Sequence, residues 1–341
     1  MDKSTSSRSP DPIDRAIAQV APIAAQDPGA HTVMRGLEKV GGEYTGRECV
    51  VVLVEEKKPL AEVQYVLPHA VPVNSEGGEV RPVRVDVQEA APFKILLLHY
   101  GEWTIHSSLG AQASNPRPHQ QCFSPTVPGG VQIAPAGANW VGTLGVPWRW
   151  KDQTGGARYG FLTNRHVAGL ESKFGHRVGQ PNPSARPVGE LVTSWRLNTQ
   201  DTNQLDLALY DSLIDGRHHV RPEVFGLRGL TAGVADLKLG DLVTKSGRTT
   251  GVTTGRVVGL DAQTTVNYGE RGNLKFTQQV VIEGDGGGSF SEAGDSGASI
   301  WKVSGDRRVF SALLFAGGGG KTLANPGRLV VEALGGEPFV A

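Results

Sequence analysis

The chain is poor in cysteine, carries no net charge and has no long apolar run. Only Cys49 and Cys122 occur in 341 residues. Two cysteines cannot build a disulfide scaffold, so they read as reduced thiols in a reducing compartment, with one Cys49–Cys122 bridge as the alternative. Metal-site spacing is missing as well: with no CxxC and no HExxH, neither a metal nor another cofactor is expected. Lysine and arginine number 34, and aspartate and glutamate also number 34. That balance gives no general attraction to nucleic acid or to an anionic membrane, and neither is expected as a partner. No hydrophobic run approaches the ~18 residues of a membrane-spanning helix. The opening residues MDKSTSSRSPDPIDR lead into no apolar stretch of the kind a secretory leader carries, so the expected location is the cytoplasm.

What the chain has in excess is glycine, 46 residues, with 21 prolines beside it. No collagen period orders them, so they point to many tight turns, as in a mainly β protein. Hydrophobic residues make up 38% and charged residues 20%, a globular composition. At roughly 150 residues per domain the length suggests about two domains. Residues 1–11 are polar and read as a disordered tail. Residues 12–106 read as a small α/β accessory domain. It opens with a helix over PIDRAIAQVAPIAAQ, which Pro22 ends or kinks, followed by strand-like runs at Cys49–Val54, Val80–Val87 and Phe93–His99. Residues 107–130 are rich in proline and polar groups and read as a linker or arm. From 131 to 341 strand follows strand with turn residues between. KSGRTTGVTTGRVVG reads as a hairpin, and NPGRLVVEALGG as a helix with Asn325 as its N-cap and Gly335 at its end.

Three short blocks carry chemistry. FLTNRHVAG, residues 161–169, ends a strand-like run and presents His166. QLDLALYDS, residues 204–212, places Asp206 in an apolar strand, where a carboxylate is costly unless it has a partner. EAGDSGASIW, residues 292–301, brackets Ser296 with glycines. Taken singly, each has a bland explanation: a structural histidine, a turn aspartate, a plain turn. Together they supply a hydroxyl, a base and an anion to orient the base. The glycines free the backbone to turn amides inward, so Gly294 and Ser296 N–H groups can form an oxyanion hole. Asp201 and Asp211 flank the second block and remain alternatives for the acid, with Asp206 ranked first. The order His, Asp, Ser excludes an α/β-hydrolase, since no histidine follows His219 and Ala298 breaks the GxSxG pattern. It also disagrees with the subtilisin order.

FLTNRHVAG, LDLALY and AGDSGAS resemble the three signature blocks of the trypsin/chymotrypsin-like serine peptidases. The intervals between the three residues agree with that family, and the resemblance covers about 135–341. The hairpin block, GDSGAS and ALLFAGGGG are most similar to an intracellular bacterial and plant branch that includes the narrow-leaf type, whose members carry an N-terminal α/β domain. The resemblance implies two antiparallel β-barrels with the site between them. His166 would be general base and acid, Asp206 its orienting partner and Ser296 the nucleophile. It also implies that Phe290 floors the primary pocket, with Ser291, Ala316 and Gly317 beside the substrate. No acid stands at Phe290, so a preference for Arg or Lys is not expected. No Arg-Ile-Val-Gly-Gly-type activation site precedes the first barrel. A new amino terminus paired with Asp295 is therefore not expected, and other contacts, such as those of the 107–130 arm, would order the active loops.

The resulting expectation is a serine endopeptidase acting on protein or peptide substrates. The rivals are a catalytically silent or latent binding module on the same fold, and an esterase sharing its acyl-transfer machinery.

Overall fold

The computed structural model describes residues 11–74, 79–99 and 117–341. The expected tail, residues 1–11, and the start of the expected arm fall largely outside the described residues.

Helix α1 spans Pro12–Ala24. Asp11 caps it by accepting a hydrogen bond from the Ile13 amide at 2.8 Å, and proline stands at its start, where a missing N–H costs nothing. Pro22 lies in the last turn, and the helix stops two residues later. Ala16, Ile17, Val20 and Ala24 form its buried face. They pack on strands β1 (Ala30–Val40), β2 (Glu43–Val54), β3 (Ala70–Asn74) and β4 (Val80–Glu89) through Val33, Val50, Val52, Val71 and Val73. Cys49 is buried in β2, while Cys122 is exposed.

The sheet of this α/β unit does not end at its own edge. The chain continues through β5 (Phe93–Ile95), β6 (Leu98–His99) and β7 (Val127–Gly129) into a first barrel. Its strands are β8 (Gln132–Pro135), β9 (Trp140–Thr143), β10 (Pro147–Lys151), β11 (Ala157–Thr163), β12 (Arg177–Gly179), β13 (Pro187–Ser194) and β14 (Ala208–Asp211). The pairing order is β10-β11-β14-β13-β12-β8-β9. Residues 144–146 carry β9 into β10 and close the ring: the Leu144 amide donates to Val131 O at 2.9 Å and the Gly145 amide to Leu162 O at 2.8 Å. No side chain fits at Gly145, where a Cβ would stand 2.2 Å from Gly297 O. Counting β9 and β10 as one bent strand, this is a six-stranded closed barrel. Phe161 and Tyr210 stack in its interior with centroids 5.2 Å apart.

After β15 (Leu213–Ile214), β16 (Arg217–His218), β17 (Val220–Val224) and β18 (Leu230–Val234) comes the second barrel. It comprises β19 (Leu242–Gly247), β20 (Gly251–Asn267), β21 (Asn273–Gly284), β22 (Ser299–Ser304), β23 (Arg307–Gly318) and β24 (Lys321–Pro326). The order β19-β22-β23-β24-β21-β20 closes through a β19–β20 pairing. Long β20 also pairs with β1 from Thr32–Thr264 to Gly36–Gly259, so the accessory unit and the second barrel share one sheet. Glycine is required at that seam: a Cβ on Gly259 would lie 2.1 Å from Met34 Sδ.

Two expectations need correcting. Phe93–His99 was expected inside the accessory domain, yet β5 pairs with the second barrel and β6 with the first. Asn325 does not cap the final helix, which runs Gly327–Leu334 with Pro326 in the cap position; Asn325 is buried and turned toward Asp206 instead. Gly335 does follow the helix, at φ 65°.

An apolar cluster binds the two barrels together. Trp148 from β10 and Trp301 from β22 both meet Phe310 edge-on, at 6.1 and 5.9 Å between centroids. Phe310 is fully buried there. Phe310→Ala is expected to cost about 3–5 kcal/mol, read as a lowered urea midpoint; a loss below 1 kcal/mol would show that the barrels do not depend on this contact.

Candidate active site

His166 sits in a single helical turn, Arg165–Ala168, directly after β11. Asn164 anchors that turn by donating from Nδ2 to Asp206 O at 2.8 Å. Asp206 lies just before β14 and is fully buried. Its Oδ2 is 2.5 Å from His166 Nδ1, and its Oδ1 accepts the His166 amide at 3.2 Å. Tyr268 OH donates to Oδ2 at 2.6 Å, and the Asp206 amide donates to Asn325 Oδ1 at 2.9 Å. Burial alone raises the carboxyl's pKa, but the His166 charge and the hydrogen bonds from His166 and Tyr268 outweigh it and hold it below the ordinary value. The same contact, with burial, pushes the Tyr268 phenol well above its ordinary range.

With Nδ1 committed to Asp206, Nε2 is the ring atom left for chemistry. It is buried and has no hydrogen-bond partner among the described residues. The alternative acids are engaged elsewhere: Asp211 pairs with Arg158, and Asp201 is an exposed turn residue that accepts the Thr202 amide at 2.7 Å.

Ser296 lies on a turn that only glycines permit. Gly294 has φ 98° and Gly297 φ 94°. A Cβ at Gly294 would stand 2.4 Å from Thr249 Oγ1, and one at Gly297 2.3 Å from Thr143 O. The serine hydroxyl donates to Phe315 O at 3.1 Å and so is turned toward that carbonyl. The Gly294 amide faces the cleft and donates to Leu96 O at 2.6 Å.

Next to the serine, Asp295 forms a fully buried ion pair with Lys245, 3.2 Å apart. It also accepts from the Thr249 amide at 2.7 Å, Thr250 Oγ1 at 2.6 Å and the Glu292 amide at 3.1 Å. Burial lowers the Lys245 pKa and Asp295 opposes that shift. Asp295 is thus paired by a side chain of its own barrel. The described end of the arm supports the same hairpin: Arg117 Nη1 donates to Thr249 O at 3.0 Å, and His119 Nε2 lies 3.0 Å from Ser246 Oγ.

Sequence reasoning missed three of these residues. Lys245 did leave a signal, since it shares the inward face of β19 with Val243, where a lysine needs a partner. Asn325 looked like a cap residue, and Tyr268 drew no reading.

The expected substrate residues all lie in the second barrel, and two of them, Phe290 and Ala316, are buried. Phe290 is buried in the second barrel's core beside Ala298 and Ile300. Ser291 Oγ is 2.6 Å from Thr322 Oγ1. Ala316 and Gly317 pair with Ile95 and Lys94 of β5. Among the described residues no group of three His, Cys, Asp or Glu side chains is arranged to hold a metal ion.

Two closed six-stranded barrels, joined by the apolar cluster of Trp148, Trp301 and Phe310, define the topology. The fold is the trypsin/chymotrypsin-like double barrel. No family model matches the chain, and no curated protein matches its sequence. Solved structures that it resembles include a glutamic-acid-specific serine protease, at 22% identity and TM-score 0.44 over 62% of this chain and 100% of the other. Thermobifida fusca Protease A is 20% identical, with TM-score 0.45 over 63% of this chain and 100% of its own. Cellulomonas bogoriensis chymotrypsin is 20% identical, with TM-score 0.43 over 63% and 100%.

Two outcomes follow from the buried charges. Because the Asp206 pKa is depressed in the folded state, its stabilisation is present above the ordinary value of 3.8 and is lost as pH falls through the folded value. Asp206→Asn is therefore expected to be less stable than wild type at neutral pH, with the gap closing as pH falls below 3.8; urea midpoints from neutral pH downward test it, and a pH-independent gap would refute it. Lys245→Met leaves Asp295 buried without its cation and is expected to cost about 3–5 kcal/mol, measured by the same unfolding curves.

Proposed function

We propose that the protein is a serine endopeptidase that cleaves protein or peptide substrates through an acyl-enzyme. The observation that carries this reading is the buried Asp206–His166 pair, whose Nε2 has no partner among the described residues, together with Ser296 on a glycine-bracketed turn. Asp206 holds Nδ1 protonated, which leaves Nε2 free to accept the Ser296 proton. The serine hydroxyl first turns from Phe315 O to Nε2, then attacks the substrate carbonyl. Gly294 and Ser296 amides would receive the developing oxyanion; one such donor is typically worth ~10²–10³ in rate. The imidazolium then protonates the leaving nitrogen, and water resolves the ester by the reverse roles.

The primary pocket is proposed to lie against the apolar core of Phe290, Ala298 and Ile300. Ala316 and Gly317 supply a strand edge on which an extended peptide adds by β-augmentation. One observation favours a latent state of the same enzyme: the Ser296 hydroxyl is engaged by Phe315 O, and the chain's own β5 fills the edge. The proposed compartment is the cytoplasm, supported by the sequence's two-cysteine usage.

A fluorophosphonate probe tests the reading. Ser296 should be labelled in wild type, Ser296→Ala should show no label, and His166→Ala should label at least ~10³-fold more slowly. No labelling of wild type or of a variant with an emptied cleft would refute it.

A further inference from the structure

The segment Phe93–His99 crosses the active-site cleft from one barrel to the other. On the second barrel, Ile95 and Lys94 pair antiparallel with Ala316 and Gly317 of β23. On its other side, Phe93 and Lys94 pair with Val266 and Asn267 of β20. The Leu96 amide donates to Phe315 O at 3.3 Å, and Leu96 O accepts the Gly294 amide at 2.6 Å. Two residues on, Leu98 and His99 pair antiparallel with Val141 and Trp140 of the first barrel. The Leu96 side chain is 7% exposed and belongs to the apolar cluster of Phe290, Val243 and Ala298. Its Cδ1 stands 3.1 Å from where a Cβ on Gly317 would be, so glycine at 317 leaves the side chain its room.

An ordinary edge strand gains backbone pairing and no more. This one also places a single carbonyl on the amide of the turn that carries Ser296, and its leucine in the adjoining apolar pocket. The Leu96–Leu97 bond is where the chain passes from one barrel's grip to the other's. We propose that the Leu96–Leu97 peptide bond is an internal substrate of Ser296, so that the protein cleaves itself there and its primary pocket accepts leucine. This deepens the endopeptidase reading and rests on it.

The step balances with water as the co-reactant. Ser296 Oγ bonds to the Leu96 carbonyl carbon as its proton moves to His166 Nε2. The bond from that carbon to the Leu97 nitrogen breaks, and the nitrogen takes the proton from the imidazolium. Water, deprotonated by His166, then hydrolyses the Ser296 ester and leaves a Leu96 carboxylate and a Leu97 amine. The structure shows the state before reaction, with the Ser296 hydroxyl on the same carbonyl, Phe315 O, that receives the Leu96 amide.

The test follows intact mass under denaturing conditions while purified full-length protein stands at neutral pH. Wild type should yield two fragments, one ending at Leu96 and one beginning at Leu97. The rate should be first-order and unchanged over ~100-fold dilution, as a reaction within one molecule requires. Ser296→Ala should remain whole, and Leu96→Ala should be cut at least ~10-fold more slowly. Leu96→Asp puts a carboxylate against an apolar pocket. It should resist the cut and, with its cleft vacated, label with fluorophosphonate at least ~10-fold faster than wild type. A wild-type chain that stays intact, or is cut only elsewhere, overturns the proposal. Labelling of Ser296 in that intact chain would leave the endopeptidase reading standing. Absence of labelling in both wild type and Leu96→Asp would remove that reading as well.

Discussion

Everything around the site answers to one buried charge. Asp206 has no access to solvent, and an ionised carboxylate there is tolerable only if protein donors replace water. Those donors come from both halves of the molecule. His166 and its amide belong to the first barrel, while Tyr268 sits at the tip of the β20–β21 hairpin of the second. Asn325, at the end of β24, holds the Asp206 backbone. The barrels therefore cannot shift relative to each other without stripping a donor from the carboxylate. The aromatic cluster of Trp148, Trp301 and Phe310 supplies the apolar attraction between them, and Asp206 sets their register. Orientation of the His166 ring is a by-product of satisfying the charge.

A second buried charge does the same work on a smaller scale. Asp295 precedes Ser296, and Lys245 reaches it from β19. The turn bearing Gly294 and Ser296 is thus held by a contact internal to the second barrel. Among the described residues, Leu96 of the segment between the barrels accepts the Gly294 amide of that turn.

Local chemistry was legible in the sequence, and distant partnership was not. His166, Asp206 and Ser296 stood out because each lies in a block whose glycines or apolar neighbours make it conspicuous. Turn-rich composition pointed to a mainly β chain, and the helical spacing of Ile13, Ile17 and Val20 matched α1. Tyr268 contacts Asp206 across 62 residues, and in sequence it is one more residue of a hairpin tip. Asn325 precedes Pro-Gly and a helical pattern, so the capping rule claimed it; the unmet need of the Asp206 backbone was the stronger demand. The run FKILLLH reads as a core strand by hydrophobicity. Nothing local says that Leu96 is buried against the second barrel while Leu97 and Leu98 pack on the first, because those surfaces are built by residues much later in the chain.

The seam between β1 and β20 gives that placement its consequence. It fixes the accessory unit to the second barrel through one continuous sheet, which presents β5 to the cleft as an intramolecular ligand. A tethered strand competes at an effective concentration that free peptides rarely match. Cutting Leu96–Leu97 would sever β5 from β6 but leave β5 paired on both sides, to β23 and to β20. A cleaved molecule would still hold Phe93–Leu96 as product until those pairings open. Opening them on the β20 side disturbs the hairpin that carries Tyr268, and hence the Asp206 carboxylate. If Ser296 acts on this bond, release of the strand and the state of the Asp206–His166 pair would be coupled through that hairpin.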